Sequence, residues 1–315
     1  MWVCAEDIAR RAAAGEAGTN RAYGLTAPQR LPSMRAPADV PGPALEFLDV
    51  LMLALIQALT EFLPISSSAH LYLAGEWFGS GYQGLVFDLG LHLGTLVAVL
   101  VYFRRDWFAL LTSLWFWRPG KPLDNEQRTL LGLTLATIPG GLAALALGDS
   151  GATALRSYVI IGCTQIVFGA LLFYAFGRAA KSSRGERSLS VGQAVLIGCA
   201  QALALVPGVS RSGITMTAGL LLGLERQAAA RFSFLLAVPI TAAAGLHGVA
   251  ELLKGGSDTD AGSFWLGAAI SAVAGYLCIH FFLATIRRIG MLPFFVYRLA
   301  LGLVLLALAA GVGST

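Results

Sequence analysis

The sequence predicts an all-α integral membrane protein, with six transmembrane helices plus two re-entrant helical hairpins set in inverted-topology repeats. Three observations carry that prediction. Hydrophobic residues make up 56% of the 315 residues and charged residues only 13%, against roughly 25% charged in ordinary soluble proteins. Six apolar stretches are long enough to cross a bilayer, which takes about 20 residues of helix. Two more, 45–78 and 190–223, are too long for a single span and are cut in the middle by Pro and Ser.

The elements follow in order. Residues 1–44 are rich in Ala, Arg, Gly and Pro and hold no apolar run of signal-peptide length. They read as a disordered tail or as sequence upstream of a mis-called start. A membrane domain, 45–315, follows. It opens with the first interrupted stretch, expected to form two half-length helices that enter and leave on one side. Spans are expected at roughly 83–103, 127–148 and 156–177, then, after the second hairpin, at 227–253, 262–285 and 291–312. Trp107, Trp115 and Trp117 follow the first span and mark an interfacial helix.

Loop charges set the orientation. Arg104, Arg105, Arg118, Lys121 and Arg128 share one loop, Arg178, Lys181, Arg184 and Arg187 another, and Arg226, Arg231, Arg287 and Arg288 fall on the same side. Excess Lys and Arg marks the cytoplasmic side. Both termini are then outside, and the two hairpins enter from opposite faces. The net charge of +4 is therefore a topology signal and gives no reason to expect nucleic acid as a partner. Cys4, Cys163, Cys199 and Cys278 lack the spacing of a metal site or disulfide framework.

The two interrupted stretches carry related cassettes. Gln57-Ala58-Leu59 is followed by Ser66 nine residues after the Gln, and Gln201-Ala202-Leu203 by Ser210 at the same offset. Ser66, Ser67 and Ser68 precede one short helix, and Ser210 and Ser212 another, as N-capping residues do. Two helix N-termini meeting near the midplane, each with free N–H groups, make an anion site. Arg211 adds a full charge with a fork suited to phosphate. Thr215 lies one turn further on. Glu61 is four residues from Gln57, so both project from one helix face. His70 is one turn from Ser67. A hydroxyl, an imidazole and an acid at membrane depth are costly to bury and are the parts of nucleophile-and-base chemistry. Glu61 is also the candidate ligand for a divalent cation, Mg²⁺ or Ca²⁺. His92, His247 and His280 read as packing residues, His92 being the exception to watch because Asp88 sits one turn earlier.

Gln57-x-x-x-Glu61 followed by Phe62-Leu63-Pro64-Ile65-Ser66-Ser67-Ser68-Ala69-His70 resembles the first signature of the undecaprenyl-diphosphatase (bacitracin-resistance) family. Pro207-Gly208-Val209-Ser210-Arg211-Ser212-Gly213-Ile214-Thr215 resembles its second. Similarity also covers Phe87 to Val101 and Phe232 to Pro239, so that it spans about 45–312. The resemblance implies a bacterial inner-membrane, multi-pass phosphatase that converts undecaprenyl diphosphate to undecaprenyl phosphate and recycles the lipid carrier for cell-wall synthesis. It implies an active site opening to the outer face. Carried over by motif position, Glu61, Ser67, His70, Ser210, Arg211 and Thr215 are functional, and both Ser67 and His70 stand as nucleophile. Gln57 occupies the first acidic position of the pattern, which weakens any mechanism that needs two carboxylates there. The expected catalytic set is Glu61, Ser67, His70 and Arg211, with Ser67 attacking and His70 activating it. Gln57, Ser66, Ser68, Ser210, Ser212 and Thr215 are expected to bind substrate. Expected partners are a polyprenyl diphosphate and the bilayer, with a homodimer allowed. The rival function is a polyprenyl-phosphate flippase or secondary transporter, because inverted repeats with broken helices are also transporter architecture.

Overall fold

The computed structural model describes residues 46–78, 84–179, 182–255 and 259–312. The expected tail, with Cys4 and its arginines, lies outside them, as do Lys181 and Asp258. The described residues form helices and no strand: α1 (Phe47–Phe62), α2 (Ser67–Phe78), α3 (Leu85–Tyr102), α4 (Arg104–Ser113), α5 (Asn125–Ala154), α6 (Tyr158–Arg178), α7 (Val191–Ala202), α8 (Arg211–Leu221), α9 (Arg226–Lys254), α10 (Ala261–Ile289) and α11 (Leu292–Val312). Six are long and apolar enough to cross a membrane: α3, α5 as far as Gly148, α6, α9, α10 and α11. They match the six expected spans. The expected interfacial helix is α4, closed by a short 3-10 turn at Leu114–Phe116 that leaves Trp115 and Trp117 exposed.

Local chemistry sets the ends. α6 is capped by Ser157, whose hydroxyl accepts from the Ile160 N–H at 3.2 Å. Ser190 and Gln193 form a reciprocal capping box at the start of α7. Asp260 caps α10 by accepting from the Ser263 N–H at 2.9 Å. Gly255 closes α9 in the left-handed region, φ 69°. α1 stops at Phe62 because Leu63 precedes Pro64, and a residue before proline is pushed out of the helical region; Leu63 is extended at φ −70°, ψ 143°.

The core is aromatic at its centre. Phe62 of α1 meets Phe234 of α9 edge to face at 5.4 Å, and Phe234 packs on Phe282 of α10 at 5.9 Å. α10 lies against α1 and α3, α9 against α3, α7 against α5, and α11 against α6. Leu142, Leu246, Val273 and Phe281 are among the apolar side chains that stay exposed, as helices facing lipid require. At the basic end, Arg231 of α9 binds Asp106 of α4 at 2.8 Å and Glu186 at 2.9 Å, and Arg187 binds Glu126 of α5 at 2.5 Å.

Two segments are not straight helices. α1 and α2 are joined by a bend at Leu63–Ser66, and α7 and α8 by a 3-10 turn at Leu203–Leu205 and a bend to Ser210. These are the interrupted stretches of the sequence. Their helix starts differ from expectation: α2 opens at Ser67, which puts Ser67 and Ser68 inside its first turn, and Arg211 opens α8, which does the same to Ser212, so that only Ser66 and Ser210 stand ahead of their helices.

Candidate active site

The bends hold two residues in a conformation that L-amino acids avoid. Ser66 has φ 79° and Ser210 φ 73°, the two positive values outside glycine among the described residues. A left-handed L-residue costs roughly 1–2 kcal/mol, and each serine recovers part of that through its hydroxyl. Ser66 Oγ accepts from the Gly208 N–H at 3.2 Å, and Ser210 Oγ accepts from the Gly213 N–H at 3.2 Å. The first of these bonds crosses between the bends, as does Ser212 Oγ donating to the Leu63 carbonyl at 3.2 Å. The starts of α2 and α8 therefore meet, as the anion-site reading expects.

Gly208 sits at φ 89°, packed on α6, where a Cβ would collide with the Thr164 hydroxyl and stand 2.9 Å from the Ile161 carbonyl. Thr164 in turn donates to the Pro207 carbonyl at 2.7 Å, and Gln165 Nε2 to the Ile65 carbonyl at 2.9 Å. The largest such contribution comes from Arg298 of α11, which is fully buried. Its guanidinium donates to the carbonyls of Pro64 at 2.9 Å, Gly208 at 2.8 Å, Val209 at 3.2 Å, Gln165 at 3.1 Å and Thr164 at 3.2 Å. Bends release backbone carbonyls that need partners when buried, and Arg298 supplies them in both bends at once.

Glu61 is the meeting point of the side chains. Its Oε1 accepts from Arg211 Nη2 at 2.6 Å. Its Oε2 accepts from the Ser67 hydroxyl at 2.6 Å and from Gln57 Nε2 at 3.2 Å. His92 of α3 donates through Nδ1 to the Asp88 carbonyl at 2.7 Å, which leaves Nε2 facing Glu61 Oε2 at 3.6 Å. A cavity of about 200 Å³ opens beside this cluster, lined among others by Glu61, Ser67, His92, Gln201, Ser210 and Arg211. Arg211 Nη1, also buried, has no hydrogen-bond partner among the described residues.

The structure brings together most of the residues expected from the sequence. Glu61, Ser66, Ser67, Ser68, Ser210 and Arg211 line the cavity, and Gln57 holds Glu61 from behind. Ser212 and Thr215 stand outside the cavity wall, in the first turns of α8. Ser212 Oγ is 3.2 Å from Ser210 Oγ, and Thr215 Oγ1 is 2.8 Å from the Arg211 carbonyl and 2.7 Å from Ser233 Oγ. His70 is turned away from the expected pairing with Ser67. Its Nδ1 donates to the Ser66 carbonyl at 2.6 Å and its Nε2 accepts from the Tyr297 hydroxyl at 2.6 Å, with the two rings stacked at 5.6 Å. Both imidazole nitrogens are thus engaged, and the side chain bonded to Ser67 is Glu61.

Sequence reasoning passed over Arg298 and Tyr297, and gave Gln201 no role. A guanidinium inside the last apolar stretch is the signal that points to Arg298, by the same burial cost that singled out Arg211. Among the described residues no group of three or more His, Cys, Asp or Glu side chains stands together as a metal site, and Glu61 is the one carboxylate lining the cavity.

Comparison with known proteins sets the sequence beside a group of relatives. The family model described as Bacitracin resistance protein BacA matches residues 50–304. Undecaprenyl-diphosphatase 2 of Stutzerimonas stutzeri is 47% identical over 277 residues, covering 85% of this chain and 100% of that protein. The undecaprenyl-diphosphatase of Nitrosococcus oceani is 48% identical over 268 residues, 83% of this chain and 98% of its own length. That of Hahella chejuensis is 48% identical over 260 residues, 81% and 96% respectively.

Proposed function

We propose that this chain, which belongs to the Bacitracin resistance protein BacA family, hydrolyses undecaprenyl diphosphate to undecaprenyl phosphate and inorganic phosphate. The lipid carrier so recycled serves peptidoglycan synthesis, and the activity confers bacitracin resistance. One observation carries the reading from the structural side: a single cavity presents a hydroxyl bonded to a carboxylate from one bend and a guanidinium with a spare N–H from the other.

The residue roles follow from donors and acceptors. The diphosphate enters with its terminal phosphoryl group against Arg211 Nη1 and the starts of α2 and α8. Ser67 Oγ attacks phosphorus while Glu61 Oε2, which already accepts its proton, takes it. The bond between phosphorus and the bridging oxygen breaks, undecaprenyl phosphate leaves with the proton that Glu61 took, and water then releases phosphate from Ser67. Stabilising charge on the equatorial oxygens is the main task in phosphoryl transfer, and it falls to Arg211. Gln57 keeps Glu61 oriented. His70, held by Tyr297, keeps the Ser66 carbonyl and so the start of α2 in place. A resident Mg²⁺ or Ca²⁺ does not fit this donor set, because Glu61 offers one carboxylate whose oxygens are already bonded. No step here runs through an ion, and a cation accompanying the substrate would be held by diphosphate oxygens.

The topology reading is part of the proposal. The α1–α2 and α7–α8 pairs are re-entrant hairpins of two inverted repeats. Support comes from Ser66 and Ser210 sharing their unusual φ, and from α1 packing on α10 as α7 packs on α5. The chain is placed in the bacterial inner membrane with its cavity toward the outer face. The cavity residues Gly140 and Thr241 lie 15 residues into their helices from the basic ends, about 22 Å at 1.5 Å per residue, and nearer the opposite ends.

The test is phosphate release from undecaprenyl diphosphate by the purified chain in detergent, with and without chelator. Turnover is expected, and its survival under chelator, which strips divalent ions from diphosphate too, is the outcome that agrees with a mechanism in which no step runs through an ion. No release would favour the flippase or transporter, which has no work to do without two compartments.

A further inference from the structure

Gln201 is 2% exposed, and neither its Nε2 nor its Oε1 has a hydrogen-bond partner among the described residues. Exchanging the two ends of the carboxamide changes nothing, because both are unpartnered. Leaving buried polar groups unpaired is costly, so an unpaired amide in a cavity wall points to a ligand. The wall is the one that holds Glu61, Ser67 and Arg211.

The first cassette explains why Gln201 is unpaired. Gln57, nine residues before Ser66, donates to Glu61 four residues on. Gln201 stands nine residues before Ser210, and the residue four positions on is Leu205. The second cassette keeps the amide and lacks the carboxylate. The facing wall makes room for it: a Cβ on Gly140 of α5 would stand 3.2 Å from Gln201 Nε2, tighter than ordinary contact.

A carboxamide needs an acceptor for its NH₂ and a donor for its carbonyl. Phosphate oxygens supply the first and water the second. We propose that Gln201 forms the water subsite of the cavity. Its Nε2 donates to an oxygen of the phosphoryl group on Ser67, and its Oε1 accepts from the water whose oxygen attacks phosphorus. In that step the new P–O bond to water forms, the bond to Ser67 Oγ breaks, and the proton lost by water returns to Ser67 through Glu61. The inference rests on the hydrolase reading above.

The test uses the full chain in detergent with undecaprenyl diphosphate in buffer containing methanol, which competes with water and gives methyl phosphate. Gln201→Leu is expected to lower kcat by about 10–10²-fold with KM falling in parallel, because the amide acts after the first product has left, and to raise the share of methyl phosphate about 3-fold or more. Gln201→Glu keeps an acceptor for water but sets a negative charge against phosphate. It is expected to raise KM while leaving the product ratio near that of the wild type. Gly140→Ala, which crowds the amide without removing it, is expected to shift the ratio in the same direction as Gln201→Leu, and carries the test where the leucine variant does not fold. Wild-type kcat and product ratio in Gln201→Leu overturn the proposal, as does a ratio unchanged in both Gln201→Leu and Gly140→Ala. A wild-type chain that releases no phosphate overturns the hydrolase reading itself, an outcome separate from either.

Discussion

The two bends share a backbone and divide the chemistry. Each has a Gln nine residues before a left-handed Ser, and each starts a short helix from that Ser. Yet where the first has Glu61, Ser67 and His70, the corresponding positions of the second hold Leu205, Arg211 and Ile214. The acid and hydroxyl come from one bend and the cation from the other. A carboxylate and a guanidinium at membrane depth are each expensive alone, and as a pair 2.6 Å apart they offset each other's cost. The two bends thus build the site at their junction, and neither holds a complete set.

If the junction is the functional unit, whatever joins the bends should matter most. Arg298 donates to Pro64 in one and to Gly208 and Val209 in the other. Arg298→Met fills the space and leaves those carbonyls unpaired, at about 1–3 kcal/mol for each buried group. The expected outcome is a loss of about 3 kcal/mol or more in unfolding stability in detergent, and turnover down by about 10² or more even at temperatures where the variant is folded. Arg298→Lys should recover little, since an ammonium lacks the planar fork that reaches five carbonyls. Wild-type stability and turnover in Arg298→Met would mean that each bend stands alone, which breaks the comparison.

A smaller effect sharpens the division of labour within the first bend. Ser67 is bonded to Glu61, while His70 is bonded to Tyr297 and the Ser66 carbonyl. Residues that act as one unit show non-additive losses. Ser67→Ala and Glu61→Gln are each expected to lower kcat by about 10²-fold or more, with the double variant no worse than the poorer single one. His70→Ala should cost less and add to Ser67→Ala. Steady-state rates of these five variants against the wild type read this directly. Coupling of Ser67 with His70, and additivity with Glu61, would reinstate the pairing that the one-turn spacing suggests.

That spacing marks the limit of what the sequence shows. Spans, bends and the polar cassettes are legible because each is a local pattern: a run of apolar residues, a Pro before Ser, a guanidinium where none is cheap. Spacing along a helix says which residues are near each other but not which of several neighbours a side chain turns to. Glu61 and Arg211 are 150 residues apart, and Arg298 reaches Pro64 across 234. Such pairings are fixed by the packing of α11 and α6 around the bends. His70 has Ser67 one turn away and Tyr297 on another helix, and the tertiary partner takes it. Gln201 looked like the start of a repeated motif; only the cavity shows that its amide is left over.

The smallest expected effect tests whether the two bends are built alike. Ser66 and Ser210 each combine a left-handed φ with a hydroxyl that caps a backbone N–H. Replacing either with Ala keeps the unfavourable conformation and removes the bond, for a loss of about 1 kcal/mol. Replacing either with Gly removes the bond too, but relieves roughly 1–2 kcal/mol of left-handed strain against about 0.4–1 kcal/mol of added freedom in the unfolded chain. Gly should therefore be better tolerated than Ala by about 1 kcal/mol at both positions, read as the difference in unfolding stability between the two variants. Equal differences support one backbone solution used twice. A gap at Ser210 and none at Ser66 would mean that left-handed strain is carried at Ser210 alone, so that the two bends reach the same φ at different cost.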